Sequence, residues 1–356
     1  MARTLITGGA GFVGANLCVE LARRHPEAEI VAFDNLYRPG SRLNLPRLER
    51  AGVRFVEGDV RDPAALAAID PIEVLIECSA EPSALAGMDG DTSYPFETNL
   101  VGAYNCLELA RRDSAQFVFL STSRVYPYTT LGELSLRRAG TRFELEPSQP
   151  VAGISEAGIS EAFPLDGART LYGATKLSAE LLVAEYAANF RLPTVVNRCG
   201  VIAGPWQMGK VDQGVFTFWL LHHLLGRPLS YIGYGGEGLQ VRDLLHVDDL
   251  VELIDLQLAD PERWSGFVGN VGGGREVSLS LLETTAICRE LTGNEIEIGA
   301  AGAERPGDVP LYISDCSRLF GSTEWRPRKS PREVLTDILA WVEENFDDVV
   351  ASLGLR

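Results

Sequence analysis

The chain has 356 residues, 46% of them hydrophobic, enough for one large α/β domain with a smaller partner or for two domains. A net charge of −17 argues against nonspecific nucleic-acid binding, although a phosphate pocket can be locally basic inside an acidic protein. No apolar run reaches membrane-span length and no leader pattern opens the sequence, which predicts a cytoplasmic protein without a membrane partner; six scattered cysteines without C-x-x-C spacing and only four histidines argue against disulfides and structural zinc, and no metal site is predicted.

Strand and helix patterns alternate from the start. Arg3–Thr7 reads as a buried strand, Gly8, Gly11 and Gly14 follow as G-x-x-G-x-x-G, and Phe12–Arg24 continues as an amphipathic helix. A strand that turns on glycines into a helix aims backbone N–H groups and the positive helix end at one spot, which suits a pyrophosphate. A second strand, 29–33, ends in Asp34, twenty residues past Gly14, where a carboxylate can hold two ribose hydroxyls and repel a 2′-phosphate. The pattern therefore predicts a dinucleotide site that favours NAD over NADP.

Further strands are predicted at 53–56, 74–78, 117–120 and 194–197, and helices near 63–69, at 95–112 and at 171–189. Such repeated units imply a Rossmann-type, doubly wound parallel sheet with ligands beyond the carboxyl ends of its strands. Residues 127–168 read as a long, loop-rich segment. Beyond about 195 the regularity falls, and Arg198, Lys210, Asp212, Gln213, Arg242 and Asp243, with Arg305 and Asp308, gather beside glycine-rich loops. This predicts a smaller C-terminal substrate-binding lobe. The division is a cofactor domain of residues 1–194 with about 241–260, and a lobe of 195–240 and 261–356.

Two further motifs carry chemistry. Tyr172 and Lys176 form Y-x-x-x-K, and residues four apart share one helix face. An ammonium beside a phenol lowers the phenol's pKa, so Tyr172 can take a proton from a sugar hydroxyl while a hydride leaves the same carbon. Thr122, in Ser121–Tyr126 at the end of a buried strand, can share that proton.

These motifs, in this order, resemble the extended short-chain dehydrogenase/reductase family, the NAD-dependent sugar epimerases and dehydratases, over nearly the whole chain. The resemblance rests on Thr7 to Gly14, Asp34 with Asn35, Asp59-Val60, Ser121 to Tyr126, Tyr172 to Lys176, Arg242-Asp243 with His246 to Asp249, and Arg305 to Asp308. It implies Tyr172, Lys176 and Thr122 as catalytic residues. It implies cofactor contacts from Gly8, Gly11, Phe12, Val13, Gly14 and Asp34, then from Asn35, Asp59, Val60, Ala80, Asn99 and Cys199, besides Tyr172 and Lys176. It implies substrate contacts from Glu81, Ser123, Arg124, Asn197, Gln213 and Asp308, with Arg242 and Arg305 at a nucleotide diphosphate. A homodimer through 95–112 and 171–189 is a further implication.

A 4,6-dehydratase would need an acid–base pair just after Thr122, where this chain has Ser123-Arg124, and arginine does not give up its proton in proteins. Within the family, Ser121 to Tyr126 resembles the S-T-N-K-V-Y of CDP-tyvelose 2-epimerases, as do residues 158–172 and 196–214. That resemblance implies interconversion of CDP-paratose and CDP-tyvelose at C2. Pro127 and Glu81 depart from it, standing where relatives usually carry glycine and often glutamine. Two alternatives stay open: a UDP-sugar 4-epimerase with the same machinery, and a catalytically silent NAD-binding module.

Overall fold

A computed structural model describes residues 3–38, 40–88, 90–209 and 213–354. Seven strands form the central sheet: β1 (Arg3–Thr7), β2 (Glu29–Asp34), β3 (Arg54–Glu57), β4 (Val74–Glu77), β5 (Gln116–Thr122), β6 (Thr194–Cys199) and β7 (Phe267–Val271). Their order is β7-β6-β5-β4-β1-β2-β3, and every pairing is parallel. The order reverses between β1 and β4, so a crevice opens above their carboxyl ends, as in a Rossmann-type fold.

Alternation along each strand fills both faces of the sheet. Ile6, Ile76 and Val118 pack against α1 (Phe12–Arg24) and against Leu250 and Ile254 of a later helix, Val247–Ala259. Leu5, Leu75 and Phe119 face α2 (Gly102–Asp113) and α3 (Leu171–Phe190). Such strands read as continuous apolar runs because neither face meets water, and each buried large side chain contributes about 1.5–3 kcal/mol.

The helix expected over 95–112 is interrupted. Ser93–Phe96 is followed by a π-type turn, Glu97–Val101, before α2 begins. Wider turns of this kind cluster at functional sites, and this one carries Asn99. The segment 127–168 is more ordered than its composition predicts: it holds a helical turn, Tyr128–Leu131, and two hairpins, Leu136–Ala139 with Arg142–Leu145 and Ile154–Ser155 with Gly158–Ile159. The first docks on the second lobe, where Phe143 N–H donates to the Leu239 carbonyl at 3.0 Å.

The second lobe has its own sheet, with Val241–His246 pairing Val201–Ala203, Ser278–Ser280 and Leu311–Tyr312. Its core includes Trp219, Leu220, Val334 and Ile338. The helices Leu281–Thr292 and Pro331–Glu344 each start at a full capping box, Ser280 with Glu283 and Ser330 with Glu333. The expected division of the chain is corrected at three points. Thr194–Cys199 and Phe267–Val271 complete the large sheet, whereas Val241–His246 belongs to the small one. The helix Val247–Ala259 does pack on α1.

The turn into α1 leaves no room for a side chain at Gly14. A Cβ on Gly14 would lie 2.2 Å from the Gly8 carbonyl oxygen. Gly14→Ala is therefore expected to cost about 1–3 kcal/mol, the usual overpacking penalty, seen as a lower Tm. Gly321→Ala, whose Cβ meets nothing within 4 Å, should leave Tm unchanged or slightly raised.

Candidate active site

The carboxyl ends of the central strands open into one cavity of about 720 Å³ that continues under the second lobe. At one end, α1 starts at Gly11 without a side-chain cap, so its first-turn N–H groups face the cavity wall formed by Gly8, Gly11, Phe12, Val13 and Gly14. Gly8 sits at φ +63°, and a Cβ there would meet the Cys78 carbonyl at 2.8 Å. These features fit a pyrophosphate. Asp34 lines the same end and accepts from Ala10 N–H at 3.1 Å and Leu36 N–H at 2.7 Å. Burial pushes its carboxyl up, and the backbone N–H groups of Leu36, Ala10 and Gly11 pull it part of the way back.

Asn35, Val60 and Ala80 also line the cavity. Asp59 does not reach the wall; Asn35 and Arg61 hold it at 2.9 and 2.8 Å. Burial opposes ionisation of Asp59, but the Arg61 and Asn35 hydrogen bonds prevail and its pKa falls to about 2. Asn99 is likewise behind the wall rather than on it. Its amide pairs with the Glu81 backbone at 2.7 and 3.1 Å and reaches Thr175 Oγ1, so the π-type turn places it under the loop after β4.

Midway along the cavity stand Thr122, Tyr172, Lys176 and Cys199. Thr122 ends β5, and Tyr172 opens α3, whose first turn is capped by Thr170. Helix and strand end touch: a Cβ on Gly173 would lie 2.1 Å from the Arg124 carbonyl. Burial pushes the Tyr172 phenol up, while the Lys176 ammonium and the neighbouring Thr122 hydroxyl pull it down. Lys176 lies one turn along α3, with Nζ 3.2 Å from Glu77 Oε2 and 3.9 Å from the Phe119 ring centroid. Burial pushes the Cys199 thiol up to about 12, which suits packing rather than nucleophilic attack.

Ser123, Arg124, Gln213, Arg242, Arg305 and Asp308 line the far half. Arg242 Nη2 meets Asp308 Oδ1 at 2.6 Å, and Arg124 Nη1 donates to the Gly307 carbonyl at 2.9 Å. Glu81 is not on the wall: Arg38 takes its carboxylate at 2.6 Å and spans to Gln213 Oε1 at 2.7 Å. Asn197 stays inside the layer behind the wall, in a reciprocal amide pair with Gln257 at 2.9 Å. Strand alternation sets Arg198 off the wall too, buried against Glu180 at 2.7 Å and Tyr126. Asp243 is buried behind the wall, accepting from Gly274 and Ser314 N–H. Lys210 and Asp212 lie outside the described residues.

Sequence reasoning missed Arg38 and Glu77. For Glu77 there was a signal, an acid closing the otherwise apolar strand Val74–Glu77. Arg38 gave none, because its two partners come from distant loops.

A switch-point cavity with a bare helix start and an acid at the end of the second strand defines a dinucleotide-binding enzyme fold. The model of the NAD dependent epimerase/dehydratase family matches residues 4–272, and the chain belongs to that family. It is 27% identical to CDP-paratose 2-epimerase of Salmonella typhi, over 95% of this chain and 98% of that one. It is 29% identical to a probable UDP-glucuronate 4-epimerase of Rhizobium meliloti (strain 1021), over 97% and 98%. The UDP-glucose 4-epimerase of Thermus thermophilus, solved as a complex with NAD, superposes with a TM-score of 0.74 at 25% identity, covering 96% of this chain and 99% of that one. The protein is an NAD-dependent enzyme of nucleotide sugars. Among the described residues no helix is long and apolar enough to cross a membrane.

Asp34→Ala should weaken NAD binding by about tenfold or more, the worth of a charge-assisted hydrogen bond, and narrow the preference over NADP. Isothermal titration calorimetry with both dinucleotides checks this; equal losses for the two would remove the carboxylate from the ribose.

Proposed function

We propose that the protein is an NAD-retaining epimerase that inverts C2 of a CDP-sugar, interconverting CDP-paratose and CDP-tyvelose. The observation that carries this is the meeting of Tyr172, Thr122 and Lys176 with the Arg124–Arg242–Arg305 wall in one cavity. NAD, when bound, supplies a reversible hydride acceptor. Tyr172 takes the proton of the sugar hydroxyl, Thr122 shares it, and Lys176 stabilises the phenolate. Arg242 and Arg305 offer two forks to the diphosphate oxygens.

Epimerisation asks no more of the protein than this and room for the keto sugar to turn. Dehydration needs an acid and a base beside Thr122, and Ser123-Arg124 supplies neither. The basic residue at Arg124 and the likeness to the Salmonella typhi enzyme support C2 and cytidine. The likeness to the probable UDP-glucuronate 4-epimerase supports a second reading, a UDP-sugar 4-epimerase. A homodimer through α2 and α3 belongs to the proposal, supported by Tyr104 and Leu181, which stand 45% and 65% exposed on those helices.

A proton NMR time course with CDP-paratose, UDP-glucuronate and UDP-glucose in separate tubes tests the reading. A second anomeric and H2 signal set should grow from CDP-paratose alone; turnover of a UDP-sugar instead would move the chemistry to C4. Tyr172→Phe should lower kcat by about 10²–10⁴, the usual contribution of a general acid–base group, while NAD still co-purifies.

A further inference from the structure

The proposed reaction leaves the buried charge of Glu77 unused. Glu77 closes β4 at 1% exposure and does not line the cavity. Strand alternation puts it on the same sheet face as Leu75, the face covered by α2 and α3. Lys176 enters that layer from α3 and is equally buried, and its Nζ lies 3.2 Å from Glu77 Oε2. Two residues on, Ser79 lies on the cavity wall, and its backbone N–H favours the ionised form of the Glu77 carboxylate.

We propose that Glu77 is the positioning residue for Lys176, holding its ammonium charged and in place beneath the Tyr172 phenol. The inference rests on the Tyr172–Lys176 reading above and adds a third member to it. The physical argument is one of supply. A lysine stem has four rotatable bonds, and a compact ammonium taken out of water either loses its proton or swings back to water unless it has a partner.

The other groups facing Lys176 provide no counter-charge. From β5 it meets the Phe119 ring. Cys78 of the loop after β4, Cys106 of α2 and Cys199 of β6 are thiols that burial drives up, and they stay protonated and neutral. On its own helix stands Tyr172, neutral until it has given up its proton. Among the described residues, Glu77 is the anion paired with Lys176. Burial pushes the Glu77 carboxyl up as well, and the ammonium and the Ser79 N–H pull it back. Each group offers the other the counter-charge that this dry layer otherwise withholds.

The test uses the lysine count. The chain has three lysines, Lys176, Lys210 and Lys329, so ¹³Cε signals of labelled lysine can be followed one by one in the protein as purified. In Glu77→Gln, which keeps the shape and an acceptor oxygen but removes the charge, the Lys176 signal should leave its ammonium position at least about one pH unit earlier, a tenfold change in the charged fraction. The alkaline limb of kcat/KM should move down with it, and Glu77→Asp should return both part of the way.

A Lys176 signal that titrates as in the native protein would overturn the proposal, whatever the activity. Where Glu77→Gln is too unstable to titrate, thermal denaturation of the pair decides. Glu77→Gln with Lys176→Met should then be more stable than Glu77→Gln alone, and simply additive losses would overturn the pairing. Failure of the substrate reading would show separately, as no turnover of any nucleotide sugar by the native protein while the Lys176 signal still shifts in Glu77→Gln.

Discussion

Three backbones meet at Gly8. Its carbonyl oxygen is the atom a Gly14 side chain would strike at 2.2 Å, and its own missing Cβ leaves room for the Cys78 carbonyl at 2.8 Å. Strand β1, helix α1 and the end of strand β4 are thereby held in contact at the sheet's switch point. That contact sets the depth of the cavity. It leaves the uncapped start of α1 as the floor at one end, and brings the end of β4, with Glu77 and Ser79, within reach of α3. A side chain at either glycine would spread these elements and move the two ends of the site apart.

The rest of the site is a problem of placing charge in a poorly solvated space. The chain is strongly acidic, yet the far half of the cavity presents Arg124, Arg242 and Arg305. Two of these side chains are steadied from the side: Arg242 by Asp308 and the Val309 carbonyl, Arg124 by the Gly307 carbonyl. Arginine suits this because its rigid fork can hold a protein acceptor on one side and offer remaining donors to a ligand. Behind the wall, Glu180 is gripped by Arg198 and by Ser121, and Arg198 leans on Tyr126, which in turn donates to Asn270. That chain ties the end of β5, where Thr122 sits, to β6 and β7.

The sheet and the cofactor end were legible because they follow from period and local turn chemistry. Alternating apolar runs, glycines at a strand end and an acid closing β2 act over a few residues, and these determine most of the geometry there. What sequence could not show is which way a polar side chain turns at the edge of a wall. Asn197 and Cys199 lie two apart on one strand face, yet only Cys199, at the strand's end, emerges into the cavity; Asn197 stays inside with Gln257. The resemblance implies ligand contacts from Asn99 and Glu81, and the structure gives Asn99 to the Glu81 backbone and the Glu81 carboxylate to Arg38. Their partners are 18 and 43 residues away in sequence, and periodicity carries no information at that range. The hairpins in 127–168 escaped notice because strands of two to four residues have too few positions to show alternation.

Asp243 shows how the fold accommodates a group that the dry interior penalises. It is buried, its pKa rises to about 6, and the main cause is desolvation. Side chains at Gly200 and Gly272 would strike its carboxylate at 2.8 and 2.1 Å, so two glycines on neighbouring segments clear space for it. One of its oxygens, Oδ2, takes both N–H groups, from Gly274 and from Ser314. These bonds join the loop after β7 and the segment after Leu311–Tyr312 to the strand that carries Arg242. A hydrophobic residue in that space would pack more cheaply but could accept neither N–H. The buried acid is therefore best understood as a clamp: it orients the strand from which Arg242 reaches the cavity. Glu77 acts on the same principle one layer away, where a carboxylate kept from water sets the position of a cation that faces the reacting groups.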